Sequence, residues 1–361
     1  GQLGDRGHVQ FGEETYQVID TQTDEHGSIL VLLDQPFTQD LTNQLVRVMV
    51  DEEWRRRQMA QHTGQHLLSR LLHDAYNAKT VSARLGETFF SIDLDIPSLA
   101  PEQVKEVEER VNKIILEDRP IRAWFPTVEE LEALDLRKQP TVTDGIRVIQ
   151  VEGADVTPCG GTHCTQTGQI GMVHILSTEK YKNMTRITAC AGLDAVRILR
   201  GKEDALQRIQ LALNANTENV VATLEGLQRR ELDGQKRISE LTKRLARSEA
   251  ARYPRDETHP YSLISLQDAE VEYARQLSLE LAKLHERVVV LITTLQEETV
   301  IVIDQSSAGT VHVGNVLKKM LFTLEGKGGG GPVHAEGRFP KAHREKLPLL
   351  LERAFLEGAD V

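Results

Sequence analysis

No uninterrupted apolar run in this 361-residue chain approaches the ~20 residues that a membrane-spanning helix needs, which excludes that reading. Cysteine is scarce as well. Three in all argue against a disulfide framework and for a reducing, cytoplasmic setting. No signal peptide is visible at the start. The chain opens Gly1-Gln2-Leu3-Gly4-Asp5-Arg6 without a Met, which reads as an N-terminally truncated form. Positive charge is in deficit: 43 Lys and Arg against 54 Asp and Glu leave a net charge of −11. A nucleic-acid binder is ordinarily basic, so such a partner would have to be met through local patches against an adverse overall field. Candidate patches are Arg55, Arg56 and Arg57, then Lys180, Lys182 and Arg186. A third is the C-terminal group Lys318, Lys319, Lys327, Arg338, Lys341, Arg344 and Lys346. Taken alone, each reads as solvated surface.

What is present is concentrated in two short strings, His62-Thr63-Gly64-Gln65-His66 and Cys159-Gly160-Gly161-Thr162-His163. Together they offer three imidazoles and one thiolate, a full tetrahedral set for Zn2+. On a helix, His62 and His66 would project from one face about a turn apart. The following Leu67-Leu68-Ser69-Arg70-Leu71-Leu72 supports a helix with an apolar side. Pro158 blocks a helix before the second pair, and Gly160-Gly161 permits a tight loop that folds Cys159 and His163 around one point. The other reading makes Cys159 a small buried hydrophobe and the histidines core or solvated imidazoles. Two pairs in one chain weigh against it. A zinc peptidase fits poorly, because Thr63 stands where His-Glu-x-x-His needs its base.

The rest of the chain reads as α+β in four parts. Residues 1–50 alternate short β-prone runs with turns and predict a small β-barrel or sheet. Residues 51–200 form an α+β block, with helices over 51–75 and 102–116 and strands near 88–94, 121–125, 146–151, 169–176 and 186–190. Residues 201–255 hold a stretch, 203–251, poor in glycine and free of proline, that predicts a long helix or helical hairpin. Its apolar steps (Val220, Leu224, Leu227, Ile238, Leu241, Leu245) fit a coiled coil or a solvated linker helix equally. Residues 256–361 read as α/β with a glycine run at 326–331. Such a run exposes amides that suit a phosphate, but it lacks the Lys-Ser/Thr of a P-loop. A flexible loop is the competing reading.

The two strings, as His62-Thr63-Gly64-Gln65-His66-Leu67-Leu68-Ser69 and Pro158-Cys159-Gly160-Gly161-Thr162-His163-Cys164-Thr165-Gln166-Thr167-Gly168-Gln169-Ile170-Gly171, closely resemble the editing domain of alanyl-tRNA synthetases and the free-standing alanyl-tRNA editing proteins. Gly1 to Gly7, Trp54 to Met59, Ser91 to Asp95 and Arg186-Ile187-Thr188 agree with the same family. Gly328 to Gly337 resembles the glycine-rich C-terminal domain of those synthetases, shared with DHH-type phosphoesterases. No Asp-His-His motif is present, so the resemblance implies tRNA binding or dimerisation for this part rather than phosphoester cleavage. There is no room for an aminoacylation domain, so the long free-standing form is the nearer likeness. Ala83-Arg84 stands where relatives often carry an aromatic residue or His, which puts the amino-acid pocket in doubt.

The resemblance implies a trans-editing hydrolase that cleaves the aminoacyl ester of mischarged seryl- or glycyl-tRNA(Ala) at a zinc site. His62, His66, Cys159 and His163 would be the ligands, with His163 the least firmly held. Gln65 is a candidate to orient water or substrate. Thr80, Ser82 and Thr88 are candidates to hydrogen-bond the serine hydroxyl, which alanine would leave unpaired. Arg55, Arg56, Arg57, Lys180, Arg186 and Lys327 are the candidate tRNA contacts. A homodimer through 203–251 or the C-terminal domain is the further expectation. The rival is a zinc-stabilised tRNA-binding module without turnover.

Overall fold

A computed structural model of the chain describes residues 2–36, 42, 44–136, 145–255, 257, 259–295, 297–307 and 309–356. It divides into two compact units, Gly1–Leu211 and Ala212–Val361.

The first unit opens with four antiparallel strands, β1 (Gly7–Phe11), β2 (Glu14–Thr23), β3 (Ile29–Leu33) and β4 (Arg47–Val50). Their order is β3-β2-β1-β4, so of the barrel or sheet expected, the described residues form an open sheet. Closure would need β3 to pair with β4, and pairing between distant strands leaves no local mark in a sequence.

Helix α1 (Glu52–Tyr76) follows. The Asp51 carboxylate caps it by accepting from the Trp54 amide at 2.9 Å, and Asn77 ends it in the left-handed region. From Ala60 to Ser69 every residue of α1 is buried, polar ones included, so each polar side chain there needs a partner inside the protein. The helix lies on a second antiparallel sheet of β5 (Thr80–Leu85), β6 (Phe90–Leu94), β10 (Val173–Tyr181) and β11 (Met184–Ala191), ordered β10-β11-β6-β5. Gly64 permits the close approach, since a Cβ there would lie 2.9 Å from Val173 and 3.3 Å from Ala191. Helix α2 (Pro101–Leu116) packs beside α1 through Val107, Val111 and Ile115, on the predicted helical period. A third small sheet joins β7 (Ile121–Trp124), β8 (Val148–Val151) and β9 (Asp155–Pro158), with the short α3 (Val128–Glu132) before β8.

The segment from 193 to 250 is two helices, α4 (Leu193–Leu213) and α5 (Val220–Ala250), separated at Asn214, which takes a positive φ. The predicted seam lies on α5, where Leu224, Leu227, Ile238, Leu241 and Leu245 are exposed in the single chain.

The second unit holds a five-stranded sheet, β12 (Tyr261–Ser265), β13 (Val288–Leu295), β14 (Glu298–Asp304), β15 (Lys327–Gly330) and β16 (His334–Pro340). Its order is β12-β13-β14-β16-β15, with only the β12–β13 pair parallel. Helices α6 (Val271–His285), α7 (Val313–Thr323) and α8 (Leu347–Leu356) cover it. The glycine run is therefore no free loop. Four of its residues make the exposed edge strand β15, paired with β16. Among the described residues, no helix is long and apolar enough to cross a membrane.

Candidate metal centre

Helix α1 and the loop after β9 bring His62, His66, Cys159 and His163 to one point, with all four ligand atoms within 4.8 Å of one another. Cys159 Sγ lies 3.4 Å from His62 Nε2 and 3.4 Å from His163 Nε2. Zn–S and Zn–N bonds of about 2.3 and 2.0–2.1 Å at a tetrahedral angle place sulfur and nitrogen about 3.5 Å apart. The donor set and these two edges fit that ion. The three rings crowd at centroid separations of 4.2 to 4.8 Å, an unrewarding arrangement for imidazoles without a shared ligand.

Burial keeps the His62 and His163 rings neutral. It pushes His62 down to about 4, and it pushes His163 down further, with the neighbouring histidines and Arg147 adding to the effect. Both therefore keep a lone pair for a metal at neutral pH. Each ring also has a neighbour at Nδ1. His62 Nδ1 lies 3.2 Å from the Gln2 side-chain oxygen and 3.2 Å from the Thr162 carbonyl. His66 Nδ1 lies 3.7 Å from the buried Asp155 carboxylate. His163 Nδ1 lies 3.2 Å from Thr63 Oγ1, which also accepts from the Cys164 amide at 3.1 Å. At His62 and His163 an Nδ1–H held in this way leaves Nε2 free, the arrangement by which outer partners orient metal-bound histidine. Arg147 secures the loop from behind, donating to the carbonyls of Cys159 at 3.1 Å and Gly161 at 2.6 Å.

Residue types and spacing pick out the four candidate ligands, but not the parts played by Gln2, Thr63, Arg147 and Asp155. Of these, Gln2 lies in the opening segment and Thr63 in the first string, both of which carry the family resemblance. The polar candidates scatter. Gln65 is buried and donates to Ser69 Oγ at 2.8 Å, and Thr80 donates to the same Ser69 oxygen at 3.0 Å. Gln65, Ser69 and Thr80 thus form one hydrogen-bonded row along α1 and the start of β5. Ser82 instead donates to Asp93 at 2.7 Å, and Thr88 lies exposed in the turn between β5 and β6, where its carbonyl accepts from Gln61 at 2.9 Å.

The basic candidates are mostly engaged. Arg55 binds Asp5, Arg56 pairs with Glu52, and Arg57 lies 3.3 Å from Asp194. Arg186 bonds Asp93 at 2.7 and 3.0 Å and stacks over Tyr181. Lys180 is exposed at the β10–β11 hairpin beside Tyr181, and Lys327 is exposed on β15 in the second unit. Arg186 and Ser82 hold the Asp93 carboxylate below the usual range. Its contribution to stability is then complete above the unfolded pKa of about 3.9 and is lost as pH falls through the lower folded value. Asp93→Asn should accordingly lose stability at pH 7, and its deficit against the parent should shrink toward pH 2. Urea unfolding at both pH values checks this, and a pH-independent deficit would count against it.

Comparison with known proteins follows the same residues. Residues 146–188, which include Cys159 and His163, match the family described as Threonyl and Alanyl tRNA synthetase second additional domain. The alanyl-tRNA editing protein AlaX-L of Pyrococcus horikoshii is 28% identical, over 98% of this chain and 88% of that protein. An alanine–tRNA ligase of Neisseria gonorrhoeae is 27% identical over 98% of this chain but only 42% of the ligase. One of Ignicoccus hospitalis is 32% identical over 68% of this chain and 28% of the ligase. The chain thus spans less than half the length of these ligases. A solved C-Ala domain of Aquifex aeolicus alanyl-tRNA synthetase aligns with 26% of this chain and 87% of that domain, at 25% identity and a TM-score of 0.23.

Proposed function

We propose that this chain, similar along nearly its whole length to an alanyl-tRNA editing protein, is a zinc-dependent hydrolase that deacylates mischarged seryl- or glycyl-tRNA(Ala) in the cytoplasm. The observation that carries the reading is the meeting of three imidazoles and one thiolate within 4.8 Å, on a buried helix and a glycine loop. His62, His66, Cys159 and His163 would hold the ion. When bound, zinc supplies Lewis acidity to a carbonyl and lowers the pKa of a water in reach.

The remaining work falls to the protein. Four side-chain donors are the number typical of a structural zinc site, so a catalytic role would need one of them to be held less firmly than the others. His163 sits on the glycine loop rather than on the helix, and it is the ligand we assign to yield. Gln65 lies between the two helical ligands and is tied to Ser69 and Thr80. That row can accept from or donate to a substrate hydroxyl, and the buried Gln65 and Ser69, given no partner by alanine, would favour serine over alanine. Of the other proposed selectivity residues, Ser82 and Thr88 make their contacts away from this row. The proposed tRNA contacts are Lys180 and Arg186 beside Tyr181, the run Arg55–Arg57 and, in the second unit, Lys327. A homodimer could form through the apolar seam of α5 or through the C-terminal unit.

Deacylation measured with the zinc-loaded protein tests the reading. Seryl-tRNA(Ala) should be hydrolysed well above a metal-stripped control, and alanyl-tRNA(Ala) should be spared. Equal rates with and without metal would remove the proposal.

A further inference from the structure

Residues 2–6, far from the metal ligands in sequence, lie across the elements that carry them. The Gly4 carbonyl accepts from the Trp54 indole at 2.9 Å, Asp5 binds Arg55, and Arg6 stacks over Trp54 and pairs with Glu87 in the β5–β6 turn. Gln2 reaches furthest. Its side-chain nitrogen donates to Thr162 Oγ1 at 2.5 Å, and its side-chain oxygen accepts from the Thr162 amide at 2.8 Å. The same oxygen lies 3.2 Å from His62 Nδ1. One amide therefore joins the helical ligand His62 to the loop between Cys159 and His163.

We infer that Gln2 is a positioning residue of the metal centre, fixing the tautomer and orientation of His62 and holding the Cys159–His163 loop in register with it. This rests on reading the four residues as zinc ligands, not on ester hydrolysis. A hydrogen bond from His62 Nδ1 to Gln2 commits Nε2, the atom facing Cys159, to the metal. The loop bonds made by the same amide set the distance between the two halves of the site. Gly161 completes the fit, because a Cβ there would lie 2.9 Å from the Gln2 oxygen.

The experiment is a Co2+ and Zn2+ titration of the metal-free full chain, with Gln2→Leu and Gln2→Glu beside the parent. Leucine keeps the shape and removes all three bonds. Glutamate keeps the accepting oxygen, and the Thr162 hydroxyl can turn to donate to it. Gln2→Leu should bind Zn2+ about 10- to 100-fold more weakly, the range for losing an outer-shell partner, with an altered visible spectrum of the Co2+ form. Gln2→Glu should restore both. The gap in Tm between metal-loaded and metal-free protein should narrow in Gln2→Leu. If Gln2→Leu lowers both Tm values equally and leaves metal affinity and spectrum unchanged, Gln2 is only a structural contact and the inference is overturned. A parent that takes up no metal removes the zinc reading and this inference together. A parent that binds metal but hydrolyses no ester removes the proposed activity and leaves this inference to the titration.

Discussion

Replacing His66 by alanine should cut deacylation of seryl-tRNA(Ala) by more than about 100-fold, beyond what loss of an outer partner costs. His66 is buried on α1, its ring centroid is 4.8 Å from that of His62 and 4.6 Å from that of His163, and its Nδ1 faces Asp155. Truncation removes one donor from the set and leaves a cavity where the ring stood. Chelation of the parent should produce the same loss, and added Zn2+ should reverse it in the parent and not in the variant. The reading turns on what happens to the rest of the molecule. Ala60, Leu67, Leu68 and their neighbours form a large buried cluster with β6, β10 and β11, and none of these contacts passes through the metal. His66→Ala should therefore stay folded by circular dichroism and still bind tRNA. Loss of turnover alone supports the hydrolase. Unfolding of the variant would instead favour the rival, a tRNA-binding module that zinc merely stabilises.

How much of this was legible in the sequence depends on how local each feature is. The helical pair and the glycine-loop pair were readable because metal-ligand spacing is a short-range property of a helix and a turn. Helix α2 was readable for the same reason, from Val104, Val107, Val111, Ile114 and Ile115. The strand expected over 88–94 begins only at Phe90. Thr88 belongs to the turn, because β5 (Thr80–Leu85), which the alternation did not reveal, pairs with β6 and pushes the hairpin turn onto it. The glycine run reads as a loop, phosphate-binding or flexible, yet β16 supplies a partner for Lys327–Gly330 and makes a strand of glycines that form strands poorly. The Nδ1 partners of the ligands lie in other segments. Gln2 meets Thr162 across 160 residues, and no periodicity records such a meeting. The charge of Arg186 suggests a nucleic-acid contact, but no sequence pattern records that Asp93 and the Tyr181 ring lie beside it.

The two glycines of the loop should respond oppositely to alanine, and the contrast separates flexibility from space. A Cβ on Gly160 would meet nothing within 4 Å. A Cβ on Gly161 would lie 2.4 Å from His62 Cε1 and 2.7 Å from its Nδ1. Neither residue occupies the left-handed region, so backbone strain does not distinguish them. The His62 ring has little room to give way, because Gln2 and the Thr162 carbonyl hold its Nδ1 side and Cys159 faces its Nε2. Relief must then come from the loop, whose carbonyls at Cys159 and Gly161 are bound by Arg147. Shifting the loop moves Cys159 and His163 away from the helical pair. Gly161→Ala should therefore lose Zn2+ affinity and deacylation by about 100-fold or more, exceeding the effect of any single outer partner. Gly160→Ala should stay within about threefold of the parent on both counts, as substitutions into open space usually do. Metal stoichiometry after dialysis, read with the deacylation rate, decides the matter. Equal retention of zinc in both variants would mean that the loop yields more readily than its hydrogen bonds imply. Equal loss would point to backbone flexibility, rather than the space beside His62, as the reason for the paired glycines.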